Sequence, residues 1–410
     1  MQLNDVSLRG RARWHLTVAC VVSAWLGITA VFLVSFRLGF PVVWWDIIHS
    51  FTLGALSTAI VAYSTHFTEA LTRTQASSYY QVALRIALIQ IGLIGLLVDR
   101  AGFDWGWLAD ASAGIVLIAA VWHIWFITHK LRGSLAGSFA VTVPFYIAAT
   151  VFLAIAIVFA ILAGNGAGDY SDLIVAHSRA TIWGFAWLTV LGTIVTLLPT
   201  LSKTTISVTA RTRFTRALLV HCTGLLVAVS ALALGNYPLA GFALLFVSLA
   251  AVLIIQPVIA GALGPSNAPR PAINTAAWSV IAGLLWLVAL STTDAVLLIS
   301  STFPRQITLW AVPAMLGAGL AQMVLGVLHF LLPTLIGGGP AKVNQAREET
   351  NAGGLARLLL INLGALLTLM PAQTPNYALT SGLILLALGL IGHVCSLLFV
   401  ARKQYRLEKP

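Results

Sequence analysis

Charged side chains and cysteines are scarce in this sequence. Asp, Glu, Lys and Arg make up 9% of its 410 residues, whereas hydrophobic residues make up 59%. Because soluble domains carry about 25% charged residues, this composition excludes a chain of two or three soluble domains, which the length alone would allow. The three cysteines, Cys20, Cys222 and Cys395, all lie in apolar segments and form no CxxC pair. Neither a disulfide framework nor a zinc site is therefore predicted.

Nucleotide-binding and hydrolytic motifs are missing as well. The chain has no P-loop, no GxSxG and no HExxH motif, which argues against an ATPase or a hydrolase. A net charge of +11 would suggest a nucleic-acid partner for a soluble protein. Here the basic residues lie between apolar stretches, where they orient a chain in a membrane. The predicted partner is the lipid bilayer, and no nucleic acid is expected.

Apolar stretches of about 20 residues, the length that crosses the hydrocarbon core, recur along the whole chain. They predict an all-α, polytopic helix bundle with twelve transmembrane helices, forming a single transmembrane domain over residues 1–410. The predicted spans cover residues 15–35, 43–64, 80–98, 105–128, 140–163, 173–199, 214–234, 240–261, 276–299, 308–331, 356–371 and 378–401. The longest connection, residues 337–354 (GGGPAKVNQAREETNAGG), is predicted to be a flexible loop.

Charged residues sort between the two faces of this arrangement. If the spans alternate in direction, 19 of the 23 Lys and Arg residues fall at one face, the exceptions being Arg37, Arg100, Arg179 and Arg305. Seven of the eight aspartates fall at or near the opposite face. Because cytoplasmic loops are enriched in Lys and Arg, this pattern predicts that both termini are cytoplasmic.

A short repeat links the sixth and tenth predicted spans. Residues 191–201 read LGTIVTLLPTL and residues 325–335 read LGVLHFLLPTL, identical at seven of eleven positions with an offset of 134 residues. The repeat places LLPTL at the same end of two spans that are four helices apart. Pro199 and Pro333 are predicted to terminate or kink these helices.

Three segments carry a resemblance to a known group of proteins. They are HSFTLGALSTAIVAYSTHFTEAL (residues 49–71), AHSRATIWGFAWLTVLGTIVTLLPT (176–200) and QMVLGVLHFLLPTLIGGGP (322–340). They resemble actinobacterial twelve-span proteins that occur alone or as the N-terminal membrane part of copper-type nitrite reductases and multicopper oxidases. A more distant resemblance is to subunit I of haem-copper oxidases, which is built as three groups of four helices. The resemblance implies an oxidase-like helix arrangement, a bacterial plasma membrane, and copper or nitrogen-oxide redox chemistry, with a copper redox enzyme as partner.

Two histidines are the main candidates for a binding site. His49 and His177 lie at matching depth near the outer ends of the second and sixth spans, where two imidazoles can hold a haem iron or a copper ion. In the oxidases that this chain resembles, these two spans carry a low-spin haem ligand and a copper ligand. The prediction is a haem b or copper site at His49 and His177. Arg179 is predicted to neutralise haem propionates, the alternatives being an ion pair with Asp172 or a snorkelling side chain.

Other features set limits to this prediction. The outer part of the tenth span, AVPAMLGAGLAQM, has no histidine and the seventh has only His221, so a binuclear oxidase centre is not expected and enzyme activity is left open. Met315 and Met323 are distant candidates for copper. Four further histidines fall in the inner halves of spans and predict either an inner polar cluster or separate hydrogen-bonded core residues: His123, His221, His329 and His393. His66 and Glu69 can share one helix face.

Three alternatives remain open at this point. His49 and His177 can make structural hydrogen bonds, or can line a proton or substrate path. The whole chain can be a secondary transporter of a small solute or metal, or a membrane scaffold without a cofactor. The small residues that follow each histidine, such as Gly54 and Gly184, suit either a flat macrocycle or close helix packing. No oligomeric state is predicted.

Overall fold

The computed structural model describes residues 8–103, 105–134, 140–265, 274–300, 304–370 and 376–406. Within these residues the chain is helical, and they contain no strand. The helices are α1 (Leu8–Arg37), α2 (Trp44–Thr72), α3 (Tyr79–Arg100), α4 (Leu108–Arg132), α5 (Ala140–Gly164), α6 (Tyr170–Ser202), α7 (Val208–Ala233), α8 (Tyr237–Leu263), α9 (Thr275–Ser300), α10 (Pro304–Ile336), α11 (Gly339–Asn351), α12 (Gly354–Thr368) and α13 (Asn376–Arg406).

The number of membrane-spanning helices agrees with the prediction. Among the described residues, eleven helices are long and apolar enough to cross a membrane, and α11 with α12, which are bent by 45°, make a twelfth if the pair is one span. A multi-pass, all-helical membrane protein is thereby confirmed. At 1.5 Å per residue, the 15 residues of α12 extend only about 22 Å, which is less than the roughly 30 Å of hydrocarbon.

The predicted flexible loop at residues 337–354 is wrong, because most of it is α11. Three consecutive glycines from Gly337 adopt positive φ and end α10, and Pro340 then occupies the first turn of α11. Proline is favoured there because its fixed φ suits a helix and its missing N–H has no partner to lose. An ion pair of 2.6 Å between Glu349 and Lys403 ties α11 to α13.

Three helices share an unusual backbone feature. The helices α2, α6 and α10 each contain a π-helical stretch, at Ser50–Leu56, Ala180–Ala186 and Ala314–Ala321. In each case 15 or 16 residues of regular α-helix follow before the helix ends. Stretches of π-helix are rare in proteins. Those that occur are often found at functional sites. Because these helices are four spans apart, the structure extends the repeat seen in the sequence to a third member, α2.

Each π-helical stretch also has a glycine packed against the preceding span. A Cβ atom on any of these glycines would approach the neighbouring side chain to between 2.4 and 2.8 Å. The crossings pair Gly54 with Trp25, Gly184 with Phe152, and Gly319 with Leu287. Of the two uses considered for Gly54 and Gly184, the structure therefore shows helix packing.

The contacts between helices repeat in the same way. The helix α2 packs on α4, α6 packs on α8, and α10 packs on α13. The helices form three groups, α1–α4, α5–α8 and α9–α13. The first helix of each group contacts the π-containing helix of another group: α5 contacts α2, α9 contacts α6 and α1 contacts α10. The last of these contacts closes the three groups of helices into a ring.

Polar contacts tie together the connections at each end of the bundle. At one end, Lys130 at the end of α4 pairs with Glu69 of α2 at 3.3 Å. We call this the basic end, because it also holds Arg73, Arg132 and Lys203. At the other end, Asn165 donates to Asp110 at 3.0 Å, and we call this the acidic end. The candidate site lies toward the acidic end.

The two prolines of the repeat lie within the last turn of their helices. Pro199 and Pro333 each stand three residues before the final helical residue, so neither ends its helix directly. The carbonyl of Pro333 accepts a hydrogen bond from the Gln404 side chain at 2.8 Å. The second proline thus has a role in joining α10 to α13 that the repeat did not indicate.

Candidate functional site

His49 and His177 lie side by side in the structure. Their ring centroids are 6.2 Å apart, and the ring planes differ by 18°. His49 directly precedes the π-helical stretch of α2, and His177 lies three residues before the stretch of α6. The structure thus brings together the two imidazoles that the sequence picks out.

Backbone carbonyls fix the protonation of both rings. The Nδ1 atom of His49 lies 2.9 Å from the carbonyl oxygen of Trp45, and that of His177 lies 2.8 Å from the carbonyl oxygen of Ala156. Because a carbonyl only accepts, each Nδ1 carries the hydrogen and each Nε2 keeps a free lone pair. Neither Nε2 has a hydrogen-bond partner among the described residues. Metal-ligating histidines usually have this arrangement.

The indole of Trp45 orients the ring of His49. The two rings are 4.0 Å apart between centroids and stacked within 18°. Sequence reasoning missed this contact. The spacing of four residues, which places two side chains on one helix face, is the signal that could have revealed it.

Both histidines line one cavity of about 620 Å³. Its walls come from α2 to α6 and from α10, with apolar side chains such as Leu53, Ile157 and Leu316. Charged side chains from the acidic end also line it: Asp99, Arg100, Asp110 and Arg305. The cavity therefore combines an apolar interior and two imidazoles with charged groups of both signs.

Arg179 does not line the cavity of the two histidines. Its buried guanidinium instead forms an ion pair with Asp294 of α9 at 2.6 Å. A further hydrogen bond joins it to Thr308 of α10. Asp172, the other partner considered, accepts a hydrogen bond from Tyr237 at 2.5 Å. Arg179 thus links α6, α9 and α10, and Arg100 and Arg305 are the arginines that line the cavity.

The four inner histidines do not form one cluster. Arg85 donates to Nδ1 of His123 at 2.7 Å, and His221 Nε2 donates to the carbonyl of Trp183 at 2.8 Å. Only His329 and His393 are neighbours, with ring centroids 4.8 Å apart. Both are buried, and His329 Nε2 donates to the backbone carbonyl of His393 at 3.0 Å.

His66 and Glu69, which can share a helix face, are engaged with other residues. Glu69 accepts a hydrogen bond from the backbone N–H of Ser77 at 2.7 Å and pairs with Lys130. The ring of His66 instead lies edge-on to His15, with centroids 5.8 Å apart. Glu69 therefore serves to fix the turn between α2 and α3.

The described residues contain no group of three or more His, Cys, Asp or Glu side chains that could hold a metal ion. A metal ion at the histidine pair would therefore have only these two ligands of the His, Cys, Asp and Glu types. Met315 of α10 also lines the cavity and adds a thioether sulfur. Met323 instead packs against Gly283 of α9.

No protein-family model matches this sequence, and no curated protein matches it. The resemblance to membrane parts of copper enzymes therefore stays a prediction. The two free imidazole nitrogens in the cavity are therefore the main indication of a function.

Proposed function

We propose that this chain is a multi-pass haem protein of a bacterial plasma membrane, in which His49 and His177 would hold one haem b. Its role is electron transfer linked to copper or nitrogen-oxide redox chemistry, with a copper redox enzyme as partner. The observation that carries this proposal is the pair of imidazoles on one cavity, each with Nδ1 bonded to a carbonyl and Nε2 free.

The spacing of the two rings supports a shared metal. Two metal–nitrogen bonds of about 2 Å, plus about 1 Å from each nitrogen to its ring centre, add up to a centroid separation of about 6 Å. The observed separation is 6.2 Å. This spacing leaves room for one metal ion between the rings.

The cavity suits a flat, amphipathic cofactor. Its volume of about 620 Å³ lies within the range of cofactor pockets, which are mostly apolar with a few polar groups. The guanidinium groups of Arg100 and Arg305 provide charge-assisted hydrogen bonds for two propionates. The haem would supply a one-electron redox centre. The chain would hold it, orient both imidazoles and exclude water with apolar walls.

The helix arrangement supports the likeness to oxidase subunit I. Three groups of four spans, each with a π-helical stretch in its second helix, close into a ring. With the basic end in the cytoplasm, as loop charge favours, both termini are cytoplasmic and the two histidines lie toward the outer surface.

A copper site is the second candidate, and Met315 favours it. Two imidazoles with a thioether form a ligand set that suits Cu(I). In that case the chain would handle copper for a partner enzyme. The size of the cavity, which far exceeds the needs of one ion, places this candidate second.

Metal analysis and optical spectra of the purified full-length protein test the proposal. We expect one haem per chain, with a reduced-minus-oxidised Soret and α-band change that His49→Ala and His177→Ala both abolish. His129→Ala, which removes an exposed histidine stacked on Trp125, is the matched control and should keep the haem. Copper without haem would favour the second candidate. A colourless, metal-free protein with counterflow activity in liposomes would reject both in favour of transport.

A further inference from the structure

A second cavity lies at the basic end, away from the histidine pair. It has a volume of about 420 Å³ and is enclosed by the ends of α6 and α10, the start of α9, and the polar helix α11. Its wall is rich in polar side chains: Lys203, Asn274, Thr275, Asn344, Arg347, Glu348, Thr350 and Asn351. Asn274, Thr275 and Thr350 already have protein partners, whereas the buried Nε of Arg347 has none.

Arg347 is the central charged group of this cavity. Its guanidinium carbon lies 3.7 Å from the centroid of the Phe330 ring, and one of its NH₂ groups donates to Thr334 at 2.7 Å. No carboxylate among the described residues forms an ion pair with it. The guanidinium is thus held on an aromatic face and by a hydroxyl, with the rest of its hydrogen-bonding capacity open to a ligand.

The helix α11 presents further ligand-binding groups on the same face. Asn344 stands three residues before Arg347, a spacing that places both side chains together, and its amide has no partner among the described residues. Lys203, from the end of α6, adds a second positive charge across the cavity. The one carboxylate in the wall, Glu348, is exposed. The cavity wall therefore carries a net positive charge.

We propose that this second cavity binds a phosphate group, with Arg347 as its anchor, Asn344 as an additional donor and the positive charge of Lys203 in the same wall. A planar guanidinium binds phosphate oxygens through two parallel hydrogen bonds, and a lysine adds a point charge. The phosphate belongs either to a soluble phosphate compound or to the headgroup of an anionic lipid. This proposal does not depend on the haem, because the two cavities share no lining residue.

Binding of inorganic phosphate to the full-length protein in neutral detergent tests the inference. Thermal unfolding followed by tryptophan fluorescence should show a midpoint that rises with phosphate and not with chloride at equal ionic strength. Arg347→Gln should weaken phosphate binding by about tenfold or more, as expected when a charged hydrogen-bond donor is lost. Arg216→Gln removes one exposed charge from α7, outside the cavity, and should leave binding unchanged.

A second variant and a lipid probe complete the test. If Arg347→Gln fails to fold, Asn344→Asp provides a second test. It places a carboxylate in the cavity at an exposed position that tolerates substitution, and it should weaken phosphate binding. Native mass spectrometry after reconstitution with phosphatidylglycerol or phosphatidylcholine shows whether the phosphate is a lipid headgroup: retained phosphatidylglycerol, displaced in Arg347→Gln, identifies the lipid. Binding of neither probe by the unmodified chain, or equal binding by the variants, would overturn the inference.

Discussion

Two backbone carbonyls determine which ring nitrogen of each candidate histidine is free to bind a metal. The carbonyls of Trp45 and Ala156 hold His49 and His177 in the same tautomer, with Nε2 free on each ring. His123, by contrast, uses both ring nitrogens, in hydrogen bonds with Ser64 and Arg85. His221 and His329 also keep one nitrogen free, so the cavity that His49 and His177 share is what distinguishes the candidate ligands.

Replacing Trp45 should weaken cofactor binding without removing a ligand. Trp45→Leu loses the ring that stacks on His49 at 4.0 Å, and we expect a roughly 10- to 100-fold loss of cofactor affinity, the usual effect of disturbing a residue that supports a ligand. Haem content after titration with haemin measures it. Trp105→Leu, at a tryptophan 60% exposed, is the control. Equal affinity of both variants would show that the stacking has no part in the site.

Breaking the ion pair of Arg179 should destabilise the bundle. Asp294→Ala leaves a guanidinium buried without its carboxylate, which costs on the order of 3–5 kcal/mol. The double variant Arg179→Met with Asp294→Leu removes both charges and should recover most of the loss. Resistance to unfolding in detergent is the measurement. If Asp294→Ala is as stable as the unmodified chain, the pair does not hold α6 to α9.

Part of the site was predictable from the sequence because ionisable groups inside a membrane are rare and their depth follows from helix length. That reasoning selects His49 and His177. It did not find the partner of Arg179, because Asp294 lies 115 residues away and only packing brings them together. It placed Arg100 and Arg305 at the same face as the histidines but did not assign them to the site.

At the level of the helices, the π-helical stretches are the feature that hydropathy could not reveal. A wider turn leaves carbonyls that need new partners, and in α2 the Ser57 hydroxyl donates to the carbonyl of Thr52 at 2.7 Å, five residues earlier. Apolar runs predict where a helix crosses the membrane and carry no signal for one added residue per turn. The three stretches therefore emerged only from the structure.

Adding one methyl group at a π-helical crossing should disturb packing. A Cβ on Gly184 would lie 2.4 Å from the Cβ of Phe152, which cannot move away without its backbone, so we expect Gly184→Ala to lose about 1–3 kcal/mol of stability. Gly27→Ala is the control, because nothing lies within 4 Å of the new atom there. The stability of the Gly27→Ala variant should be unchanged or higher by up to about 1 kcal/mol. Equal thermal midpoints for the two variants would contradict the close crossing of α5 and α6.

The polar helix α11 shows why the composition of residues 337–354 wrongly predicted a flexible loop. Glycines at both ends and many polar residues are typical of a loop. The glycines instead end α10 and separate α11 from α12, and the polar residues face the second cavity and α13. Tertiary contacts such as Glu349 with Lys403, which the sequence could not supply, hold the helix in place.

For the whole molecule, hydrocarbon thickness made the number of spans predictable. All twelve predicted stretches fall on helices of the structure, most with bounds shifted by several residues. The closure of three groups into a ring depends on contacts such as α1 with α10, far apart in the sequence. A repeat of eleven residues could hint at this symmetry and could not establish it.

Cysteine accessibility in intact cells tests the proposed orientation. In a chain with Cys20, Cys222 and Cys395 replaced by alanine, we expect Ala167→Cys in the connection between α5 and α6 to react with an impermeant maleimide. Lys203→Cys at the basic end should react only after the membrane is broken, because basic connections face the cytoplasm. The opposite pattern would mean that the two histidines lie toward the cytoplasm.

Electron paramagnetic resonance of the oxidised, purified protein tests the central claim most directly, because two imidazole ligands give ferric haem a low-spin signal. The account predicts such a signal at one spin per chain, lost in both His49→Ala and His177→Ala and kept in His129→Ala. A protein without haem iron, or a low-spin signal that survives in either of the first two variants, would contradict it.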